Sequence, residues 1–317
     1  MEKNDILHIS VRRMVEFTLQ SGDIRPVSYD AMYAGTRGHK ARQAMTEETA
    51  ERAVRWQGTV CNVPFDVTGR IDILHLSQNI PLIEEIKLIS PDALPPEAAL
   101  PVHRMQAVCY AHMLCEELSL DHINVQVSYV TEDGFVRAAF PETLSNNEAK
   151  ALFFSMLTPL AQWESNLRLF RSRRDQSLLA LPFPFASYRP GQREMAAQVY
   201  TAIRLQKRLF ATLPTGTGKS AATLYPALKA LGEGKTRQIF YLTARGTARQ
   251  AAIDALSLMR AKGLAVRSVV LTAKEKCCPQ EFKRCHPDHC YTASDKALAI
   301  GGGVLEAILC LSGILKQ

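Results

Sequence analysis

The sequence has 317 residues, of which 47% are hydrophobic and 22% are charged, a composition typical of a globular protein with room for roughly two domains. The net charge of +7 is uneven, because residues 1–180 carry 18 Lys and Arg against 23 Asp and Glu, whereas residues 181–317 carry 20 against 8. The basic second part favours a nucleic acid or nucleotide partner, with a solvated basic surface as the alternative.

No segment is predicted to target the chain to a membrane or to cross one. The stretch HISVRRMVEFTLQSGD near the start is amphipathic and has no charged region followed by an apolar region, so we predict no signal peptide. The apolar stretch at 297–315 holds four glycines and Glu306, which disfavours a membrane span. We therefore expect a cytoplasmic protein, in which clustered cysteines favour metal binding over disulfides.

The first part of the chain predicts a mixed sheet flanked by helices. The pattern favours helices near 8–20 and 38–54, then strands near 54–61, 65–75 and 81–89. A helix near 97–118, the strands INVQVSYV and FVRAAF, and a long helix from about 143 to 174 complete this part.

A change of pattern follows the segment LALPFPFASYRPGQ at 179–192, whose three prolines among aromatic residues are typical of a linker. Beyond it, helices alternate with the apolar segments RLFATL, RQIFYLT and SVVLT, which are predicted to be strands of a parallel sheet. The sequence therefore predicts an α/β protein with domains at 1–178 and 193–317, joined by a linker at 179–192.

Asp72, Glu85 and Lys87 form the pattern D-x12-E-x-K on two neighbouring predicted strands. Because side chains alternate along a strand, Glu85 and Lys87 share one face and Glu84 lies on the other. Two carboxylates so placed can hold Mg²⁺ or Mn²⁺, and the ammonium can orient a water beside a scissile phosphate. The alternative is that Asp72 is an ordinary aspartate at a strand edge and that Glu85 and Lys87 are exposed residues without a catalytic role.

The surrounding residues resemble the RecB-like branch of the PD-(D/E)xK nucleases. GTRGH supplies the Gly35 and His39 of a Gly-x-x-x-His pattern ahead of the strands, and HRMQAVCYAHM supplies the Gln106 and Tyr110 of a Gln-x-x-x-Tyr pattern on the following helix. An ordinary surface histidine and a packing tyrosine are the alternatives for His39 and Tyr110.

This resemblance implies a restriction-endonuclease-like nuclease core that hydrolyses DNA. It implies that metal ligands are supplied by His39, Asp72, Glu85 and the carbonyl of Ile86. It also implies that Lys87 is the partner of the attacking water, and that Gln106 and Tyr110 position the DNA.

The stretch LFATLPTGTGKSAA at 209–222 predicts a phosphate-binding loop between a strand and a helix. Backbone N–H groups around Gly216, Thr217 and Gly218 would surround ATP phosphates, while Lys219 reaches the outer oxygens and Ser220 binds Mg²⁺. The loop resembles the Walker A motif of superfamily-two helicases, with Leu213 where the strict pattern has its first glycine, and it implies a partial RecA-like domain. A chance glycine-rich turn is the alternative.

Two flanking segments extend this resemblance. YRPGQ contains Gln192 and resembles the adenine-contacting segment of such helicases, and IFYLTARGTARQ resembles their DNA-backbone motif. Both imply that ATP and DNA are partners of the second domain.

The cysteine-rich stretch LTAKEKCCPQEFKRCHPDHC lies where helicases of the XPD/DinG type carry an iron–sulfur insertion. The resemblance implies that Cys278, Cys285 and Cys290 bind a 4Fe-4S cluster, with Cys277 or Cys310 as the fourth ligand. The alternatives are a zinc ion bound by these thiols together with His286 or His289, and a reduced loop without metal.

No adjacent Asp-Glu pair follows Lys219, and the tail from about 297 does not resemble a helicase. We therefore expect a truncated or frame-shifted form of a nuclease-helicase fusion, without helicase activity of its own. The predicted function is metal-dependent DNA cleavage in DNA repair. The alternative is a non-catalytic remnant that binds DNA or nucleotide.

Overall fold

The structure is a computed structural model that describes residues 6–19, 29–90, 92–214, 216–244 and 246–271, with the backbone alone at 29–35 and 246. The chain forms two compact units, which are described separately. The first extends to Ser165 and the second comprises Asn166–Leu271, so the division falls inside a long helix. None of the helices that the structure describes is long and apolar enough to cross a membrane.

The first unit is built on a mixed sheet with strand order β1-β3-β4-β5-β6, in which β2 pairs with β3 as well. The pairs β1/β3 and β4/β5 are parallel, and the other pairs are antiparallel. In chain order the elements are β1 (Leu7–Ser10), α1 (Val11–Leu19), α2 (Tyr29–Gln43), β2 (Thr49–Val60), β3 (Val63–His75), β4 (Leu82–Leu88), α3 (Pro101–Leu118), β5 (His122–Val130), β6 (Val136–Ser145) and α4 (Asn146–Ala180). The predicted mixed α/β architecture is confirmed.

The predicted helix at 38–54 is wrong in its second half, because α2 ends at Gln43 and β2 begins at Thr49. Eleven residue pairs join β2 to β3, from Thr49 opposite Leu74 to Val60 opposite Val63. This long ladder outweighs the local helix propensity of the segment TEETAERA.

Strand β3 positions the site, because two different strands share one of its edges. Its residues 65–68 pair with β1, whereas its residues 73–75 pair with β4. The opposite edge is occupied by β2. Between the two stretches, the edge of β3 at residues 69–72 is left open toward β4.

The core of the first unit packs helices α1, α3 and α4 against the sheet. Phe65, Ile71 and Leu114 are fully or almost fully buried, and the Trp56 ring lies 5.2 Å from the Phe153 ring. Removing this apolar surface from water is the main favourable contribution to folding.

The buried carboxylate of Asp66 links strands β1, β2 and β3 through side-chain contacts. Asp66 on β3 accepts two hydrogen bonds from Arg55 on β2, at 2.6 and 2.9 Å, and lies 2.7 Å from the His8 ring on β1. The hydrogen bonds from Arg55 hold the pKa of Asp66 at about 2, below its ordinary value of 3.8.

This arrangement predicts an acid-sensitive contribution to stability. Because the pKa of Asp66 is lowered in the folded protein, the stabilisation is present above about pH 4 and is lost as the pH falls through about 2. The difference in unfolding free energy between wild type and Asp66→Asn, measured by urea denaturation, should shrink across that window. A difference that stays constant with pH would contradict this assignment.

The second unit contains the end of α4 and three further helices, α5 (Gln192–Arg204), α6 (Lys219–Gly232) and α7 (Gly246–Arg260). Its core includes Leu178, Leu228 and Met259. Leu181, inside the segment predicted as a linker, is also buried in this core.

The strands predicted in this unit are not formed in the part of the chain that the structure describes. Residues 208–213, 237–243 and 268–271 form neither helix nor strand, and Phe210, Phe240 and Leu242 are 94%, 62% and 89% exposed. A strand requires a hydrogen-bonded neighbour, and none of these segments has one within the described residues.

Candidate active site

Asp72 lies on the part of the β3 edge that is not paired with β4. The paired residues of β3 and β4 end at Ile73 opposite Glu84. One step further along, the Asp72 carboxylate accepts the Ile86 N–H through Oδ2 at 2.7 Å. The side chain of Asp72 thus replaces a backbone acceptor and lies beside the strand segment that carries Glu85.

Glu85 and Lys87 lie on the same face of β4, as strand alternation predicts. The Lys87 ammonium donates to Glu85 Oε1 at 2.5 Å and to Gln106 Oε1 of α3 at 3.0 Å. Glu85 is buried, and its second oxygen, Oε2, has no hydrogen-bond partner within the described residues. The site therefore contains a buried carboxylate oxygen that is available to a ligand.

The environment of Glu85 disfavours its charged form. Burial raises its pKa to about 7, although the charge of Lys87 acts in the opposite direction. The neighbouring carboxylate of Asp72 raises the pKa further. Two carboxylates that repel each other and lack solvent are the arrangement that a divalent cation stabilises.

Helix α2 brings His39 to the same place. The His39 Nδ1 atom lies 3.5 Å from Asp72 Oδ1, and the amide of Gln43, one turn later, donates to the Asp72 carbonyl at 3.0 Å. Gly38 allows this close approach, because a Cβ atom there would lie 2.6 Å from the Leu88 side chain. Gly35 also lies on α2.

Tyr110 of α3 packs on the sheet next to the carboxylates. A Cβ atom at Gly69 would lie 2.4 Å from the Tyr110 ring, so the glycine makes room for it. Burial raises the pKa of Tyr110, and the charges of Glu85 and Asp72 raise it further. Tyr110 and Gln106 thus border the site from one face of α3.

The predicted set of metal ligands is only partly brought together. Within the described residues no three His, Cys, Asp or Glu side chains converge closely enough to hold one ion. Lys87 engages Glu85 Oε1 and the Ile86 N–H engages Asp72 Oδ2. Glu85 Oε2 and Asp72 Oδ1 remain as hard oxygen donors, which fit Mg²⁺ or Mn²⁺. The role of the Ile86 carbonyl as a metal ligand stays a prediction.

The cysteines predicted to bind a cluster, Cys278, Cys285 and Cys290, lie outside the described residues. The iron–sulfur cluster therefore stays a prediction, as do its alternatives.

Glu84 on the other face of β4 has a partner that the sequence did not identify. Its buried carboxylate accepts two hydrogen bonds from Arg42 of α2, at 3.0 and 3.2 Å, and lies 3.0 Å from His75 Nε2. Arg42 follows His39 by three residues, a spacing that places both on one side of a helix. The spacing indicates that Arg42 lies on the same side of α2 as His39, but it does not identify Glu84 as its partner.

The phosphate-binding loop lies in the second unit, at the start of α6. Gly216 and Gly218 have φ angles of +80° and +77°, in the left-handed region that glycine adopts most easily. The Lys219 ammonium donates to the carbonyls of Leu213 and Pro214, at 3.0 and 2.8 Å. The loop thus curves around the lysine that is predicted to bind phosphate.

The Gln192 side chain is hydrogen-bonded to this loop. Its Oε1 accepts the Arg189 N–H at 3.0 Å and its Nε2 donates to the Gly218 carbonyl at 3.2 Å. The side chain is 1% exposed, so a contact with adenine would require these bonds to be exchanged. Nearby, the Tyr241 hydroxyl donates to Ser220 Oγ at 3.3 Å.

Comparison with known proteins gives one family match. Residues 189–301 match the model of the DEAD/DEAH box helicase family, which covers about a third of the chain and includes the phosphate-binding loop. This supports a helicase-like, nucleotide-binding part with a RecA-like fold, and the match does not include residues 1–188. No curated protein matches the chain.

One similar solved structure is described as the crystal structure of SSO0001. It is 19% identical, with a TM-score of 0.32, and the match covers 50% of this chain and 77% of that one. A similarity at this level carries no argument about the fold or the function of the present chain.

Proposed function

We propose that the first unit is a metal-dependent nuclease that hydrolyses phosphodiester bonds of DNA. The observation that carries this proposal is the buried Glu85 carboxylate, which has one oxygen bonded to Lys87 and the other without a partner within the described residues. Asp72 supplies a second carboxylate beside it, and Lys87 supplies a cation whose other bond goes to Gln106.

The residues that would hold Mg²⁺ or Mn²⁺ are Asp72 and Glu85, with His39 beside Asp72. When bound, the ion supplies charge that polarises a phosphate oxygen and neutralises the transition state. Lys87 has three hydrogens and uses two of them for Glu85 and Gln106, so the third is available for a water or a phosphate oxygen. Gln106 keeps the ammonium in place.

The test compares wild type with Lys87→Ala on single-stranded DNA in the presence of Mg²⁺ or Mn²⁺. Wild type is expected to degrade the DNA, and the variant to be slower by about 100- to 1,000-fold, the usual effect of losing a positioned charge at the reacting group. Equal degradation by both would point to a contaminating nuclease.

A second candidate function is a non-catalytic protein that binds DNA or nucleotide. The observation that favours it is the lack of a three-ligand cluster within the described residues. Degradation by neither protein in the same assay would support this candidate.

For the second unit, we propose that the loop at 213–220 binds ATP. Lys219→Ala should weaken the binding of a fluorescent ATP analogue by at least about tenfold, because a charge-assisted hydrogen bond to phosphate contributes about 1.5–3 kcal/mol. The control is Lys235→Ala, since Lys235 is an exposed lysine of the same unit. Equal binding by the two variants would exclude the loop as the nucleotide site.

A further inference from the structure

We propose that His103 binds a phosphate oxygen of the DNA strand next to the cleaved bond, as a neutral hydrogen-bond donor. This inference rests on the proposed nuclease function. His103, Gln106 and Tyr110 follow each other at spacings of three and four residues on α3. They therefore lie on one face of the helix, and His103 extends that face by one turn beyond Gln106.

The hydrogen bonds around Tyr129 fix the tautomer of the His103 ring. The Tyr129 hydroxyl oxygen accepts the Leu100 N–H at 3.0 Å and lies 2.9 Å from His103 Nδ1. Tyr129 is buried and its hydroxyl oxygen already accepts the Leu100 N–H, so we assign Nδ1 as the acceptor of the hydroxyl proton. The neutral ring consequently carries its hydrogen on Nε2.

The Nε2–H group is available to a ligand. This nitrogen has no hydrogen-bond partner in the described ranges, and it is not among the enclosed polar atoms of those ranges, so solvent reaches it. Burial lowers the pKa of His103 to about 4, and the charges of Lys87 and Arg12 lower it further. The ring is therefore neutral at physiological pH and acts as a directed donor.

The ligand that suits this place is a phosphate group. The charges of Lys87 and Arg12 both act on His103, so the surroundings of the ring favour an anion. Contacts to phosphates set the position of a nucleic acid strand without selecting its sequence. Lys87, which belongs to the proposed catalytic group, lies opposite Tyr129 in the pairing of β4 with β5, so the proposed phosphate contact is in the same part of the sheet.

Binding of DNA without cleavage tests the assignment. The probe is a fluorescein-labelled oligothymidylate, and its anisotropy is followed in the presence of a chelator, so that binding is measured apart from nuclease activity. His103→Ala should bind about tenfold more weakly, which is the loss expected for one hydrogen bond to a charged group. His103→Gln, which keeps an N–H at a similar distance, should remain within about threefold of wild type.

The salt dependence distinguishes a neutral donor from a charge. Each lysine or arginine that contacts single-stranded DNA contributes about 0.7 to the slope of log K against log salt. His103→Ala should leave the slope unchanged, because it removes no charge. The exposed His122→Ala, in the same unit, should leave both the affinity and the slope unchanged.

The assignment would be overturned if His103→Ala bound DNA as tightly as wild type, or if wild type did not bind DNA at all. It would also be overturned if folded His103→Ala and His103→Gln bound equally weakly, or if His103→Ala reduced the slope of log K against log salt. Binding with the expected pattern but without cleavage by wild type in Mg²⁺ or Mn²⁺ would leave the His103 contact standing and remove the proposed nuclease function.

Discussion

Glu85→Gln should lower the rate of metal-dependent DNA cleavage by about 100- to 1,000-fold. The glutamine keeps the size of the side chain but removes the negative charge that faces Asp72 and Lys87. A neutral amide is a poor ligand for Mg²⁺ or Mn²⁺, which prefer charged oxygen donors. The loss is of the size measured when one preorganised group at a reacting centre is removed. The measurement is the initial rate of single-stranded DNA degradation.

Glu84→Gln is the matched control, because it makes the same chemical change at the neighbouring residue on the opposite face of β4. Glu84 contacts Arg42 and His75 rather than Lys87. This variant should cleave DNA within a few-fold of wild type, provided that urea denaturation shows it to be folded. Loss of cleavage in Glu84→Gln together with activity in Glu85→Gln would place the catalytic carboxylate on the other face.

Arg42→Ala should lower the unfolding free energy of the first unit by about 3 kcal/mol. Glu84 has a side chain that is 1% exposed and depends on two hydrogen bonds from Arg42, whose own side chain is 24% exposed. Removing one partner of a buried pair leaves a charge without compensation, which costs about 3–5 kcal/mol. The variant also removes the two hydrogen bonds that join α2 to Glu84 of β4.

The control on the same helix is Arg37→Ala. Arg37 forms an ion pair with Glu132, but 70% of its side chain is exposed, and such surface pairs contribute about 0–1 kcal/mol. Urea denaturation of both variants compares the two positions directly. If Arg42→Ala costs no more than Arg37→Ala, the Glu84 contact does not hold α2 in place.

The grouping of Asp72, Glu85 and Lys87 could be predicted because it depends on a local rule. Side chains alternate along a strand, so Glu85 and Lys87 had to share a face once the segment at 82–88 formed β4. The pairing of β3 with β4 then brought Asp72 within reach. Five of the six described strands of this unit, all but β1, overlap segments that the sequence predicted as strands.

Other features depend on contacts between distant parts of the chain. Strand β2 begins at Thr49, where the predicted helix was expected to continue to about residue 54, because its ladder with β3 is made only in the folded sheet. The sharing of one edge of β3 by β1 and β4 is likewise invisible in the local pattern. It decides the site nonetheless, because it leaves the Asp72 carboxylate to bond the Ile86 N–H.

The partners of buried polar residues were also beyond local reasoning. Arg42 and Glu84 are 42 residues apart in the sequence, and His103 and Tyr129 are 26 apart. In the second unit, the loop around Lys219 followed from its glycines, whereas the apolar segments predicted as strands have no paired neighbour in the described part of the chain.

The central claim is that Asp72 and Glu85 together form a site for a divalent cation. Its most direct test is titration of the protein with Mn²⁺ in the absence of nucleotide, with free Mn²⁺ followed by electron paramagnetic resonance. We expect wild type to bind Mn²⁺ at one site that both Asp72→Asn and Glu85→Gln lose. Binding that is the same in wild type and both variants would contradict the claim.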